Sequence, residues 1–205
     1  MQKLNLGCGQ QVVDGWVNVD YSLGARIATT PVLGSLLRSL GLFNVNWDSR
    51  IRIHDLSTRF PWADGTVDAC YTSHTVEHLS REEGAKFVAE CFRVLKPRGV
   101  LRVVVPDLGF YIRGYESGSI PAESFVESMG VLYGVGKGGV KRALAPLVEF
   151  PHKCMYDTAA MQRLLASTGF TAQARGAFES EIVDIRRIEI EERTMNAVIV
   201  EGVKA

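Results

Sequence analysis

The chain has 205 residues and a mass of 22.6 kDa, the size of one domain, with little room for a second. Apolar residues make up 46% and charged residues 22%, which excludes a disordered or collagen-like chain. The 23 Lys and Arg balance 23 Asp and Glu, which excludes a protein built mainly to hold nucleic acid or an anionic membrane. No run of apolar residues is long enough to insert in a bilayer. The first residues lack the basic head and apolar middle of a signal peptide. Cys8, Cys70, Cys91 and Cys154 are scattered without a CxxC pair, so reduced thiols and a cytoplasmic location are expected.

Strands and helices alternate through the first half. Lys3 to Leu6 is a short strand running into the turn Gly7-Cys8-Gly9, and Val17 to Asp20 is a second strand ending on an acid. Residues 31–42 show helical spacing, with Pro31 suited to a first turn and Gly41 to a stop. Ile51 to Asp55 reads as a third strand and Val67 to Thr72 as a fourth. Ser80 and Glu83 form a capping box ahead of Phe87, Val88, Cys91, Phe92 and Leu95, an apolar helical face. Pro97-Arg98-Gly99 should stop that helix, and Val100 to Val105 has the β-branched run of a central strand buried on both faces. Asp157 is placed to cap a helix running to Thr168-Gly169. Thr171 to Ala174 and Thr194 to Glu201 follow as strands.

This order predicts βαβ units, a largely parallel sheet and helices on both of its faces. Residues 107–150 break the rhythm and are rich in glycine. They follow the fifth strand, where a loop stands above the ligand crevice of an open α/β sheet, and are read as a partly helical, mobile lid inserted in a single domain. Tyr133 to Arg142 holds glycines and cations but fails the P-loop spacing, so it reads as a hinge.

Three constellations carry chemistry. A glycine turn after the first strand (Asn5, Gly7, Cys8, Gly9) lets backbone amides approach a ligand, and Asp20 can hold two ribose hydroxyls. Asp55 and Leu56, after the third strand, can receive an adenine ring. In His74-Thr75-Val76-Glu77-His78, directly after Ser73, positions i, i+3 and i+4 share one face of a helical turn. Two imidazoles and a carboxylate can move protons or bind a divalent metal, and bracing of the loop is the alternative. Downstream, His152 and Tyr156 can return over the crevice as a base and a phenol. His54 reads as a structural residue at a strand end.

With Phe60-Pro61-Trp62 leading into the fourth strand and Arg93-Val94-Leu95-Lys96-Pro97-Arg98-Gly99 into the fifth, the chain resembles the class I S-adenosylmethionine-dependent methyltransferases. The likeness is to the methyltransferase type 11 group, over residues 3–105. Within it, residues 4–9, 15–20 and 152–157 are similar to a subset of small bacterial enzymes associated with surface-polysaccharide synthesis. The resemblance implies a Rossmann-like, seven-stranded, mostly parallel sheet with an antiparallel last strand. It also implies S-adenosylmethionine held by Asn5, Gly7, Cys8, Gly9, Asp20, Asp55, Leu56 and Ser73. His74, Glu77, His78 and His152 would then serve chemistry on a sugar or glycan hydroxyl, with or without a divalent metal.

The chain departs from the family pattern in three ways. Asn5 stands where an acid is usual, Gln11 replaces a third glycine, and only 13 residues separate Gly7 from Asp20. The first crossover must therefore be a turn. Other readings are a cofactor-binding protein without catalysis, a zinc hydrolase of the HxxEH type, and a dinucleotide oxidoreductase, which the missing GxGxxG weighs against.

Overall fold

The computed structural model describes residues 1–30, 47–139, 145–146 and 149–205. The helix expected over residues 31–42 lies outside them. Seven strands form one sheet: β1 Lys3–Leu6, β2 Val17–Asp20, β3 Arg52–Ile53, β4 Val67–Ser73, β5 Leu95–Pro106, β6 Phe170–Ala174 and β7 Ala197–Lys204. Their spatial order is β3-β2-β1-β4-β5-β7-β6. Every neighbouring pair is parallel except those made by β7, which runs antiparallel to both β5 and β6. Register runs across the centre through Leu6, Thr72, Val103 and Val200. The expected class of fold is therefore present.

Local chemistry sets the element ends. Helix α1 (Leu23–Ala28) is capped by Ser22. Helix α2 (Arg81–Val94) begins with the expected capping box, Glu83 N donating to Ser80 Oγ at 3.2 Å and Ser80 N to Glu83 Oε2 at 2.7 Å. Asp107 caps α3 (Leu108–Glu116) and Pro121 precedes α4 (Ala122–Ser128). Asp157 caps α5 (Thr158–Thr168), which stops at Gly169 with φ +108°. A last short helix, α6, spans Glu191–Thr194.

Three boundaries differ from expectation. β3 is two residues long because the Asp55 carboxylate accepts from Ser57 N (2.9 Å) and turns the chain. Register jumps from Val67↔Leu95 to Ala69↔Val100, so Lys96–Gly99 loops out of β5, with Arg98 at φ +63°. The last strand starts three residues late because Thr194 belongs to α6 and Asn196 turns at φ +53°.

The sheet is buried on both faces, by different means. On one face Leu4, Leu6, Cys70, Leu101, Val103, Val198 and Val200 pack under Phe87, Val88 and Cys91 of α2 and Met161 and Leu165 of α5. On the other, Ala69, Tyr71, Val100, Val104 and Ile199 meet Trp16, Ile182, Ile185 and Ile188. None of these four covering residues lies in an α-helix. Among the described residues, a 3-10 turn and its flanking chain thus cover this part of the second face, where a helix was expected. That cover is pinned by Arg102, buried on β5, whose Nε and Nη2 each meet a Glu189 oxygen at 2.8 Å, while Nη1 reaches Glu201 at 3.1 Å.

The ten residues joining β1 to β2 form turns, as the short spacing requires. Asn5 and Asn18 brace them: Asn5 Nδ2 donates to Asn18 Oδ1 and to Gln11 O, both at 3.0 Å, and Asn18 Nδ2 to Val13 O at 3.1 Å. In the expected lid, α3 and α4 are followed by turns in which Glu149 accepts from Gly134 N (2.7 Å) and pairs with Lys137. Among the described residues no helix is long and apolar enough to cross a membrane. All four cysteines are free.

Candidate active site

A cleft of about 390 Å³ opens at the C-terminal ends of β1, β2, β3 and β4, where an open α/β sheet binds its ligand. Gly7, Gly9, Asp20, Asp55, Leu56, His74 and His78 line it, together with Tyr21, Thr75, Phe150, Lys153 and Arg193.

The glycine turn has a different use from the one its sequence suggests. The amides of Gly7 and Cys8 donate to Val19 O at 2.9 and 3.0 Å, and that of Gly9 to Asp20 Oδ2 at 2.8 Å. The donors therefore fasten the loop to the end of β2 instead of facing a ligand. Glycine is still required at position 7, where φ is +74° and a Cβ would run into the Thr75 side chain. At Gly9 the Cβ position is open, with nothing within 4 Å, and the loop leaves room for a bound molecule. The Asp20 carboxylate also accepts from Ser22 N at 2.7 Å. A carboxylate has about four acceptor sites, so it keeps capacity for hydroxyl donors in the cleft. Together these features suit the nucleoside of S-adenosylmethionine.

Three residues expected at the cofactor stand behind the cleft wall. Asn5 is committed to the β1–β2 brace. Cys8 packs with Ala25 and Ile51, and burial beside Asp20 pushes its thiol up to about 12, where it is inert. Ser73 is buried at the end of β4, its carbonyl facing the Thr75 hydroxyl.

His74 leaves β4 with φ +53°, an uncommon conformation for a non-glycine residue, while its amide still pairs with Val104 O at 2.9 Å. Its Nε2 lies 3.0 Å from Arg193 O. A carbonyl only accepts, so Nε2 carries the proton and Nδ1 is the basic nitrogen. That Nδ1 stands 3.4 Å from Glu77 Oε1. Val76–His78 forms one 3-10 turn, which swings Glu77 inward and leaves His78 on the cleft wall.

His152 is delivered from far along the chain. Lys153 N and Cys154 N donate to Glu77 O at 2.7 and 3.1 Å, and Leu108 N to Tyr156 O at 2.9 Å. These bonds lay residues 152–156 against the 3-10 turn and bring the His78 and His152 rings to 5.0 Å between centroids. All four expected catalytic residues thus come together, with Glu77 and His152 behind the wall that His74 and His78 face. Burial lowers the proton affinity of the three imidazoles, leaving them neutral at pH 7. It pushes the Glu77 carboxyl up to about 8.

Sequence reading missed Thr75, Lys153 and Arg193. Lys153 lies inside a segment already singled out, and Thr75 inside the HTVEH turn. Arg193 had no local signal, since only tertiary packing of α6 brings it to the cleft. His54 meets Phe60 and Trp62 edge to face, in keeping with a structural role.

Residues 4–103 match the family model described as "Methyltransferase domain". A protein of Mycolicibacterium smegmatis described as "Probable S-adenosylmethionine-dependent methyltransferase" is 41% identical over 54 residues, 26% of this chain and 20% of that protein. The alignment thus spans about a fifth of the curated relative's length. Among solved structures, a SAM-dependent methyltransferase from Methanosarcina mazei superposes with a TM-score of 0.56 at 16% identity, covering 99% of this chain and 92% of that one. The YcgJ protein from Bacillus subtilis gives 0.52 at 15%, covering 99% and 91%. The 1,6-didemethyltoxoflavin-N1-methyltransferase of Burkholderia thailandensis, solved with bound 1,6-didemethyltoxoflavin and S-adenosylhomocysteine, gives 0.50 at 12%, covering 100% and 71%.

Proposed function

We propose that this chain is a class I S-adenosylmethionine-dependent methyltransferase and that it transfers a methyl group to a hydroxyl of a small polar acceptor, a sugar or glycan. Bound S-adenosylmethionine supplies an electrophilic methyl group on a sulfonium. One observation carries the reading: a single cleft joins the Gly9, Asp20 and Asp55 end to a wall of neutral imidazoles. A hydroxyl, unlike a neutral amine or a thiolate, must lose a proton as it attacks carbon. An uncharged imidazole is the group suited to receive that proton near neutral pH.

Each residue then has a task. Asp20 takes the ribose hydroxyls on the acceptor capacity left beside Gly9 N and Ser22 N. Asp55 and Leu56 meet the adenine, Asp55 through its polar edge and Leu56 through its apolar one. His74 Nδ1, held basic by the Arg193 carbonyl on the opposite nitrogen, accepts the hydroxyl proton. Arg193 puts a cation on the rim suited to a phosphorylated or nucleotide-linked sugar, while Lys153 there is paired with Glu83 at 3.4 Å. The free thiols and the absence of a membrane-spanning helix among the described residues are compatible with cytoplasmic action on such a precursor.

The test is incubation with methyl-labelled S-adenosylmethionine and fractionated sugar nucleotides and glycans, reading methyl ethers by mass spectrometry. In the His74→Ala variant, transfer should fall by about 10²–10⁴ while cofactor affinity changes less than about twofold. Binding of the cofactor without turnover on any fraction would favour the non-catalytic reading. Full activity in His74→Ala would remove the proton-acceptor role.

A further inference from the structure

Behind the cleft wall, Glu77, His78 and His152 present one ligand atom each, all within 4.8 Å of one another. Glu77 is 1% exposed, and neither of its carboxyl oxygens makes a hydrogen bond among the described residues; the Nδ1 atoms of His78 and His152 are buried and equally without partners. His74 Nδ1, though 3.4 Å from Glu77 Oε1, does not meet it in hydrogen-bond geometry. An unsatisfied buried polar group costs about 1–3 kcal/mol, and native proteins leave few of them without a reason. Four such atoms converging from two chain segments 74 residues apart (78 to 152) call for one partner that accepts all their lone pairs.

We propose that Glu77, His78 and His152 bind a divalent transition-metal ion of the zinc, cobalt or manganese class in the wall of this cleft. Two imidazole nitrogens and one carboxylate are the donor set of such ions, whereas magnesium and calcium take oxygen ligands. Metal–ligand bonds of about 2.0–2.2 Å require the three atoms to draw in by about 1 Å, within reach of small rotations of the two rings.

The surroundings have the form of a support for such ligands. Pro151 and Phe150 carbonyls approach the His78 ring, and the Met129 carbonyl approaches that of His152, while both Nδ1 atoms stay free. Backbone carbonyls close to the ring are the groups that typically orient metal-binding histidines. His152 N donates to Gly130 O at 2.9 Å, and a Cβ at Gly130 would press within 3.2 Å of the ring Nδ1. Lys153 N and Cys154 N, on the Glu77 carbonyl, hold the two halves of the site together. Three protein ligands leave a coordination position open. Because His78 also lines the cleft, a metal held there would stand beside the proposed acceptor site, with His74 outside the set as the base.

The role in transfer rests on the methyltransferase reading, but binding does not, so it is tested without cofactor or acceptor. Chelator-stripped protein is titrated with CoCl₂ while the visible d–d absorption is followed, and zinc content after dialysis is read by elemental mass spectrometry. Wild type should bind one equivalent and melt at a higher temperature when loaded. Glu77→Gln, which keeps the buried shape, and His152→Ala should weaken binding at least about a hundredfold, beyond what loss of an outer-shell partner produces. His74→Ala should bind as wild type does. Absence of a stoichiometric site in the wild type would overturn the proposal. So would wild-type affinity in a folded Glu77→Gln, which decides the matter if His152→Ala does not fold. Loss of binding in His74→Ala would overturn the assigned ligand set. Cobalt binding without methyl transfer would sink the functional reading and leave the metal centre standing.

Discussion

Asp20 shows how a single side chain couples the fold to the site. Its two oxygens take Gly9 N at 2.8 Å and Ser22 N at 2.7 Å, so the carboxylate that would meet the ribose also closes the loop above it and orients the start of α1. Replacing it removes a charge-assisted acceptor, worth about 1.5–3 kcal/mol. Asp20→Ala should therefore weaken S-adenosylmethionine binding by about ten- to a hundredfold in titration calorimetry, and unchanged affinity would cancel the ribose assignment. The place of Asp20 at the cleft was legible because strand ends and acids are visible in one dimension. Asn5 was not so legible: its partners are Asn18 and the Gln11 carbonyl, and a brace across a turn leaves the same letters as a cofactor contact.

Helix α2 illustrates the element scale. Its capping box and apolar face were readable because both depend on spacings of three and four residues. Its docking was not. Glu90 Oε2 accepts from Phe60 N at 2.7 Å, and Arg93 binds Glu90, the Asp64 carboxylate and the carbonyls of Phe60 and Trp62, which fastens the loop before β4 to the helix. Arg93 beside it holds the Glu90 carboxyl below its ordinary value of 4.5. A depressed folded-state value means the unfolded chain binds the proton first. The contribution is therefore complete above the unfolded value near 4.5 and disappears as pH falls through the lower folded one. Glu90→Gln should cost about 1–2 kcal/mol at neutral pH, and the gap in Tm from wild type should close in acid. A gap that stays constant across that window would contradict this assignment.

At the scale of the whole molecule, the alternation of strands and helices foretold the sheet and the family resemblance its antiparallel β7, but neither foretold what covers the second face. Covering by helices is the ordinary solution for a parallel sheet. With only ten residues between β1 and β2, no helix can form there. Trp16 and the chain from Ile182 to Ile188 fill the space instead. Such a cover has no periodicity to read. It is specified by contacts at long sequence separation: Lys3 with Asp184 (|i−j| 181), Gln11 with Ile188 (177) and Arg102 with Glu189 (87).

The same arrangement governs the order in which the protein can be born on the ribosome. Strands β1 to β5 emerge long before Ile182–Ile188, and β6 emerges before β7, the strand that must slip between it and β5. Until residues 182–204 have left the exit tunnel, one side of the sheet stays wet and two strand edges stay unpaired. Exposed apolar surface and open edges of this kind invite aggregation and chaperone capture. A chain ended at residue 180 should therefore bind an apolar dye and yield to protease throughout, although it retains the glycine turn, Asp20 and all four histidines. Native-like protease resistance in that fragment would show that the sheet closes without its late cover. Translation must pass β7 before the nascent cleft has a rigid floor.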